Sequence, residues 1–187
     1  MSEAEKQKSY RRIVEAASRL MREHGIEATS VSDVMKAADM THGGFYRHFD
    51  SKEALVSAAF DAAIEDVLSD LRDAPVGPKR EVARAQYLAR YLSKEHVNNR
   101  ARGCPLAALG TEIARQDGLV NPGASEAVEQ MADLLGKNDP AAGGRGLATM
   151  ALLLGTITLA RIANSPEFSQ NVLDAGKRGC DLLEQHW

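Results

Sequence analysis

Cysteine is nearly absent: Cys104 and Cys180 are the only two in 187 residues. That excludes a disulfide framework and a multi-cysteine zinc cluster, and it fits a reducing, cytoplasmic setting. Aromatic residues are sparse at 5%, with a single tryptophan. Neither sign of charge dominates, since 23 Lys and Arg stand against 26 Asp and Glu for a net charge of −3. Overall basicity therefore does not announce nucleic acid, and any surface for it has to be local. Long hydrophobic runs are missing too. The most apolar stretch, Leu147 to Ile162, is broken by Thr149, Gly155, Thr156 and Thr158. It reads as a buried helix, and no membrane partner is expected. The polar N-terminus, MSEAEKQKSYRR, does not have the character of a secretory signal. Signatures of catalysis are also lacking. His24, His42, His48, His96 and His186 show no metal-binding spacing, no Gly-rich phosphate loop follows a strand, and no serine sits in a nucleophile elbow. The chain is not expected to be an enzyme, and no cofactor or metal is implied.

What is present is helical periodicity from end to end, with no stretch alternating as a strand does. The fold class is all-α. Residues 1–12 read as a frayed basic arm in which Lys6, Lys8, Arg11 and Arg12 outnumber Glu3 and Glu5. The arm can be a solvated tail or can lie along DNA phosphates. Ile13, Ala17, Leu20 and Met21 continue as a helix that Gly25 stops. After Lys52 a long helix runs to about Arg72 and ends at Pro75-Val76-Gly77-Pro78. Further helices are predicted over 79–96, with Val82, Ala85, Leu88, Ala89 and Leu92 inside, over 104–115 with Pro105 in the first turn, and over 125–135. A Gly-rich break follows through Asp139-Pro140 and Gly143-Gly144. Then come the apolar helix and a last helix opened by Ser165-Pro166.

The most informative stretch is Ser30 to Lys52, SVSDVMKAADMTHGGFYRHFDSK. Ser30 can cap a helix with Asp33 as an acidic form of the capping box, and Val31, Val34, Met35 and Ala38 give that helix one apolar face. Asp39-Met40 makes the turn, Asp being one of the few residues besides Gly that tolerate a left-handed backbone. Thr41 can cap a second short helix, which buries Phe45 and Phe49, four apart. Asp50 is expected to open the third helix, with Glu53 at capping-box distance. A pair of this size, with small and polar residues at the start of the second helix, suits a helix-turn-helix whose second helix enters the DNA major groove.

At these residues the chain resembles the TetR family of one-component transcriptional regulators. The family pattern is a capped helix, a small-residue turn, a recognition helix ending in Tyr-x-His-Phe, and a Lys soon after. Here that is Tyr46-Arg47-His48-Phe49 and Lys52, with Asp39 where the family most often has Gly. The resemblance implies a three-helix DNA-binding domain over 1–52. It also implies a helical ligand-binding and dimerisation domain over 53–187, with the dimer built from the last two helices. It implies a double-stranded DNA operator, a second copy of the chain and a small-molecule effector as partners. Thr41, His42, Gly43 and Gly44 would lie nearest the bases, where glycines let the backbone approach and Thr or His can bond base edges. Tyr46, His48 and Lys52 would hold phosphates, and Arg47 and Ser32 complete the candidate DNA set. Ordinary surface and core roles are the alternative for Tyr46 and His48.

Four residues are candidates for an effector site: Tyr87 and Tyr91, four apart on one helix, Arg161 at the end of the apolar helix, and Cys104. Cys104 stands in Arg102-Gly103-Cys104-Pro105 at a helix start, where the dipole and neighbouring arginines can favour a thiolate. A thiol that senses electrophiles or oxidants and a plain buried side chain are both open there. The reading is a ligand-responsive repressor. A helical protein-interaction module without DNA binding is the competing class; it explains the apolar helices but not the basic arm or the recognition pattern.

Overall fold

A computed structural model of the chain describes residues 2–115, 120–136 and 144–186. Its helices are α1 (Glu3–His24), α2 (Val31–Ala37), α3 (Lys52–Asp73), α4 (Pro78–Tyr91), α5 (Lys94–Asn98), α6 (Pro105–Ile113), α7 (Val120–Leu135), α8 (Arg145–Ile162) and α9 (Pro166–His186). Short 3-10 segments cover His42–Arg47 and Arg100–Arg102. No strand occurs among the described residues. The expected break at Asp139-Pro140 and Gly143 lies outside them.

The chain groups into two compact units. Unit one holds Met1–Asp66 and Cys104–Ala124, and unit two holds Val67–Gly103 and Ser125–Trp187. In unit one, α1, α2 and the start of α3 close around Ile13, Ala17, Met21, Val34, Met35, Phe45 and Leu55, all buried, and α6 packs on α1. The N-terminus is not a frayed arm. The Ser2 hydroxyl accepts from the Glu5 amide at 3.3 Å and the Glu5 carboxylate accepts from the Ser2 amide at 2.7 Å. This reciprocal capping box starts α1 at Glu3. The helix α3 is likewise opened by Ser51 rather than Asp50, since the Ser51 hydroxyl accepts from the Ala54 amide at 3.1 Å.

In unit two the predicted 79–96 helix is split. Helix α4 stops at Tyr91, and the Ser93 hydroxyl, accepting from the His96 amide at 3.2 Å, starts α5. The buried face of α4 is also rotated from expectation. Val82, Ala85 and Ala89 are exposed, while Arg84, Tyr87 and Tyr91 are buried. Arg84 decides this. Its Nε donates to the Leu135 carbonyl at 3.0 Å and its Nη1 pairs with the Glu184 carboxylate. Beside it, Arg145 Nη2 donates to the Gly136 carbonyl at 2.8 Å. Two buried guanidiniums thus cap the C-terminal turn of α7, where the helix dipole is negative.

Helices α8 and α9 form the other main packing of unit two. Glycine allows their close approach: a methyl group at Gly176 would stand 2.5 Å from Thr156 Cγ2, and one at Gly179 2.8 Å from the movable end of Leu152. By length and composition α8 could cross a membrane. Here one of its faces is buried through Thr149, Met150, Leu153, Thr156, Ile157 and Ala160. Cys180 on α9 is buried, and burial, reinforced by Asp181 and Glu184, pushes its thiol up to about 11. Such a thiol is unreactive at neutral pH.

Candidate nucleic-acid interface

The interface is built on local chemistry. The Asp33 amide donates to the Ser30 hydroxyl at 3.1 Å and the Ser30 amide donates to the Asp33 carboxylate at 3.2 Å, which completes the capping box of α2. The hydrogen bonds from Ser30 hold the Asp33 carboxyl below its ordinary range. At the other end Asp39 takes φ +54°. The Asp39 amide donates to the Lys36 carbonyl at 3.0 Å and the Met40 amide to the Met35 carbonyl at 2.9 Å. This pair of bonds is a Schellman ending, with Asp39 in the left-handed position usually given to glycine. It turns the chain sharply into the segment His42–Arg47.

That segment is a 3-10 helix rather than the expected α-helix, and Thr41 stands at its start in extended backbone without a side-chain capping bond. Its inward side is aromatic. Phe45, 1% exposed, stacks on Phe49 with ring centroids 5.7 Å apart, and Phe49 stacks on Tyr10 at 5.1 Å. Its outward side presents Thr41, His42, Gly43 and Arg47, with Tyr46 at 68% exposure. Ser32 is exposed on α2 and Lys52, half-buried, begins α3. Gly44 is half-buried over the methyl ends of Met35 and Met40. The candidate DNA residues thus lie on α2, on the 3-10 segment that packs against it, and at the start of α3.

His48 is half-buried, and its Nδ1 is enclosed without a hydrogen-bond partner. Burial lowers its pKa, and the nearby charges of Lys6 and Arg47 push the same way. Both effects disfavour the charged imidazole, so Lys6, Arg47 and Lys52 are the cations near this segment. Lys6 was read from sequence only as part of the basic arm, and Tyr10 was not among the expected site residues. The first places the charge of α1 beside His48, and the second supports Phe49 from below. The i, i+3 relation of Tyr10 to Ile13 was the available signal for Tyr10.

A methyl group added at Gly43 would meet no protein atom within 4 Å. Gly43→Ala should therefore leave the fold intact, or stabilise it by about 0.4–1 kcal/mol through the unfolded chain. If the backbone here meets DNA, the same change should weaken binding at least about tenfold, the equivalent of one lost base contact. Thermal melts and gel shifts of the one variant separate the two effects.

Unit two gathers most of the effector candidates. Tyr87 and Tyr91 are buried with ring centroids 5.8 Å apart. Tyr91 meets the ring of His96 edge-on at 4.5 Å, and His96 Nδ1 lies 2.8 Å from the Tyr91 carbonyl. Arg161 Nη2 donates to the His96 carbonyl at 3.0 Å. His96 was not among the expected residues. A cavity of about 350 Å³ is lined by Asp70, Asp73, Ala74, Ala83, Gln86, Tyr87 and Arg90, so Tyr87 is the candidate that reaches it. Cys104 belongs to unit one, as the N-cap of α6, and is 2% exposed.

Burial lowers the pKa of His96 to about 4, with Arg161 adding to the shift and the bond to Tyr91 opposing it. The folded state therefore holds His96 neutral while the unfolded chain takes up a proton near pH 6.5. Its contribution is fully present above pH 6.5 and is lost as pH falls towards 4. The loss should reach about 3 kcal/mol. Urea titrations between pH 7 and 4 should show this slope, and His96→Gln should flatten it.

The chain is similar to known proteins in sequence and fold. Residues 13–59 match the family described as bacterial regulatory proteins, tetR family. The HTH-type transcriptional repressor KstR2 of Rhodococcus jostii is 37% identical over 61 residues, which cover 33% of this chain and 30% of that protein. The HTH-type transcriptional repressor DhaR of Mycobacterium sp. (strain GP1) is 28% identical over 106 residues, covering 54% of this chain and 50% of that protein. The chain thus spans half or less of the length of these two relatives. The fold extends further. The crystal structure of a regulator from Chloroflexus aurantiacus superposes with a TM-score of 0.74 over 96% of both chains at 24% identity.

Proposed function

We propose that this chain, a member of the TetR family of bacterial regulatory proteins, is a homodimeric repressor released from a pseudo-palindromic operator by a small-molecule effector. The observation that carries the reading is the construction of α2 and the 3-10 segment that packs against it. A capped helix and a left-handed turn at Asp39 lead into a short segment whose inner side is Phe45 and whose outer side is polar and small. In this reading residues 1–52 form the DNA-binding domain and residues 53–187 the effector and dimerisation domain. Thr41, His42, Gly43 and Gly44 face base edges, with Ser32 a further contact, and Tyr46, Arg47, His48 and Lys52 hold phosphates.

Tyr87, Tyr91, His96 and Arg161 form the effector cluster. An aromatic wall with one cationic group suits an anionic or aromatic small molecule. The effector must bind better to the conformation that does not fit DNA, since only that difference in affinity can release the operator. The continuous helix α3, from Lys52 to Asp73, is the lever. Cys104 packs as a buried N-cap, which supports a reversible pocket over a thiol-reactive sensor.

The dimer reading rests on what the packing of α8 and α9 leaves outside. Leu147, Leu159 and Ile162 on α8, and Phe168 and Leu182 on α9, are each about half exposed or more. Leu159→Arg or Leu182→Arg should leave the single chain folded, because neither side chain is in its core. The same change buries an unpaired charge in the dimer. Sedimentation should give monomer for at least one variant and dimer for the parent. Selection of genomic fragments on the parent protein tests the DNA reading: enrichment of discrete sites is expected, and recovery of no site above a scrambled control sinks it.

A further inference from the structure

The turn between α1 and α2 is held from outside the helix-turn-helix. Glu112, on α6, accepts the Ile26 amide at 2.9 Å and the Glu27 amide at 3.3 Å through the same carboxylate oxygen. Gly25 makes room for it. Its φ is +94°, and a methyl group there would stand 2.8 Å from Glu112 Oε1. Two independent requirements, backbone hand and space, thus converge on Gly25. Ile26 is 3% exposed, and the Thr29 hydroxyl closes the turn onto the Gly25 carbonyl at 2.7 Å. From there the chain runs without slack. Ser30 caps α2, Asp39 ends it, and the segment His42–Arg47 follows.

We propose that Glu112 is a positioning residue for DNA recognition: its carboxylate fastens the α1–α2 turn to α6 and so fixes the orientation of the DNA-reading segment. The proposal rests on the DNA-binding reading given above. A charged acceptor bonded to two successive amides is stronger than a neutral one, and α6 belongs to the same compact unit as the head. A dimeric regulator must seat two heads at once on an operator of set spacing. A head free to tilt pays orientational entropy in that docking, whereas binding to arbitrary DNA through phosphates tolerates tilt. Glu112 should therefore matter for the specific complex and little for the non-specific one, which a merely stabilising residue would not do.

The test compares the full-length parent, Glu112→Gln and Glu112→Ala. The probes are a genomic fragment selected by the parent and a scrambled duplex of equal length at low salt. Glu112→Ala should lose about tenfold or more in affinity for the selected fragment and no more than about twofold for the scrambled duplex. Glu112→Gln keeps an oxygen acceptor and should lose less. Hydrogen exchange at Ile26 and Glu27 should quicken in the same order while α2 amides keep their protection. If the Ala variant does not fold, the Gln variant is read against the parent on the same two counts. Unchanged affinity for the selected fragment, equal losses on both DNAs, or unchanged exchange at Ile26 and Glu27 would each overturn the proposal. A parent protein that selects no fragment overturns the regulator reading instead.

Discussion

Phe45→Ala should cost the segment His42–Arg47 and its surroundings about 3–5 kcal/mol, the range for deleting a fully buried aromatic ring. Phe45 is 1% exposed, stacks on Phe49 and takes the edge of Tyr46 at 5.2 Å. Its loss leaves a cavity under a six-residue 3-10 segment that has little hydrogen bonding of its own to resist collapse. Because whole domains are stable by only about 5–15 kcal/mol, the segment should open locally before the rest unfolds. Hydrogen exchange should show residues 41–49 unprotected while α8 and α9 remain protected, and specific DNA binding should disappear. Protection of 41–49 within a few-fold of the parent would mean that Phe45 is not the platform.

Arg84→Met should be the other costly substitution. It strips the Leu135 carbonyl of its donor and the Glu184 carboxylate of its partner. Breaking a buried pair on one side costs about 3–5 kcal/mol. The lower end is expected here, because the Glu184 side chain is 36% exposed and water can solvate it. The paired change Arg84→Met with Glu184→Leu removes both charges and should cost less than Arg84→Met alone. Urea midpoints of the parent, the two single variants and the double variant measure the difference. A loss below about 1 kcal/mol for Arg84→Met would place the pair among surface ion pairs.

These two residues also mark what is legible in the sequence and what is not. Phe45, the Ser30–Asp33 box and the turn at Asp39 depend on neighbours within a few positions, and so could be read from sequence. The buried face of α4 could not. Its phase is set by Arg84, whose partners lie 51 and 100 residues away. Periodicity favoured Val82, Ala85 and Ala89 because it ranks apolar residues inside and has no way to see a buried guanidinium with distant acceptors. The role of Glu112 was hidden for the same reason, its partner Ile26 being 86 residues distant. Other differences were local but finely balanced. Ser51 and Asp50 are both good N-caps, and the structure uses Ser51. The two glycines at 43 and 44 weaken α-helical propensity, which fits the tighter 3-10 form of His42–Arg47. The box formed by Ser2 and Glu5 was present in the sequence as Ser-x-x-Glu, hidden under the charge pattern of the N-terminal arm.

In the proposed function, two copies of this chain read DNA through residues 41–52. Footprinting of a selected genomic fragment tests it most directly, with the parent and Lys52→Ala side by side in moderate salt. Such a dimer should give two protected half-sites related by a pseudo-twofold axis and spaced by about one helical turn of DNA, roughly 34 Å, or a multiple of it. Lys52→Ala should weaken protection of both half-sites, in proportion across sequences, because a phosphate contact carries no base information. A single unpaired footprint, or a Lys52→Ala footprint equal to that of the parent, would contradict it.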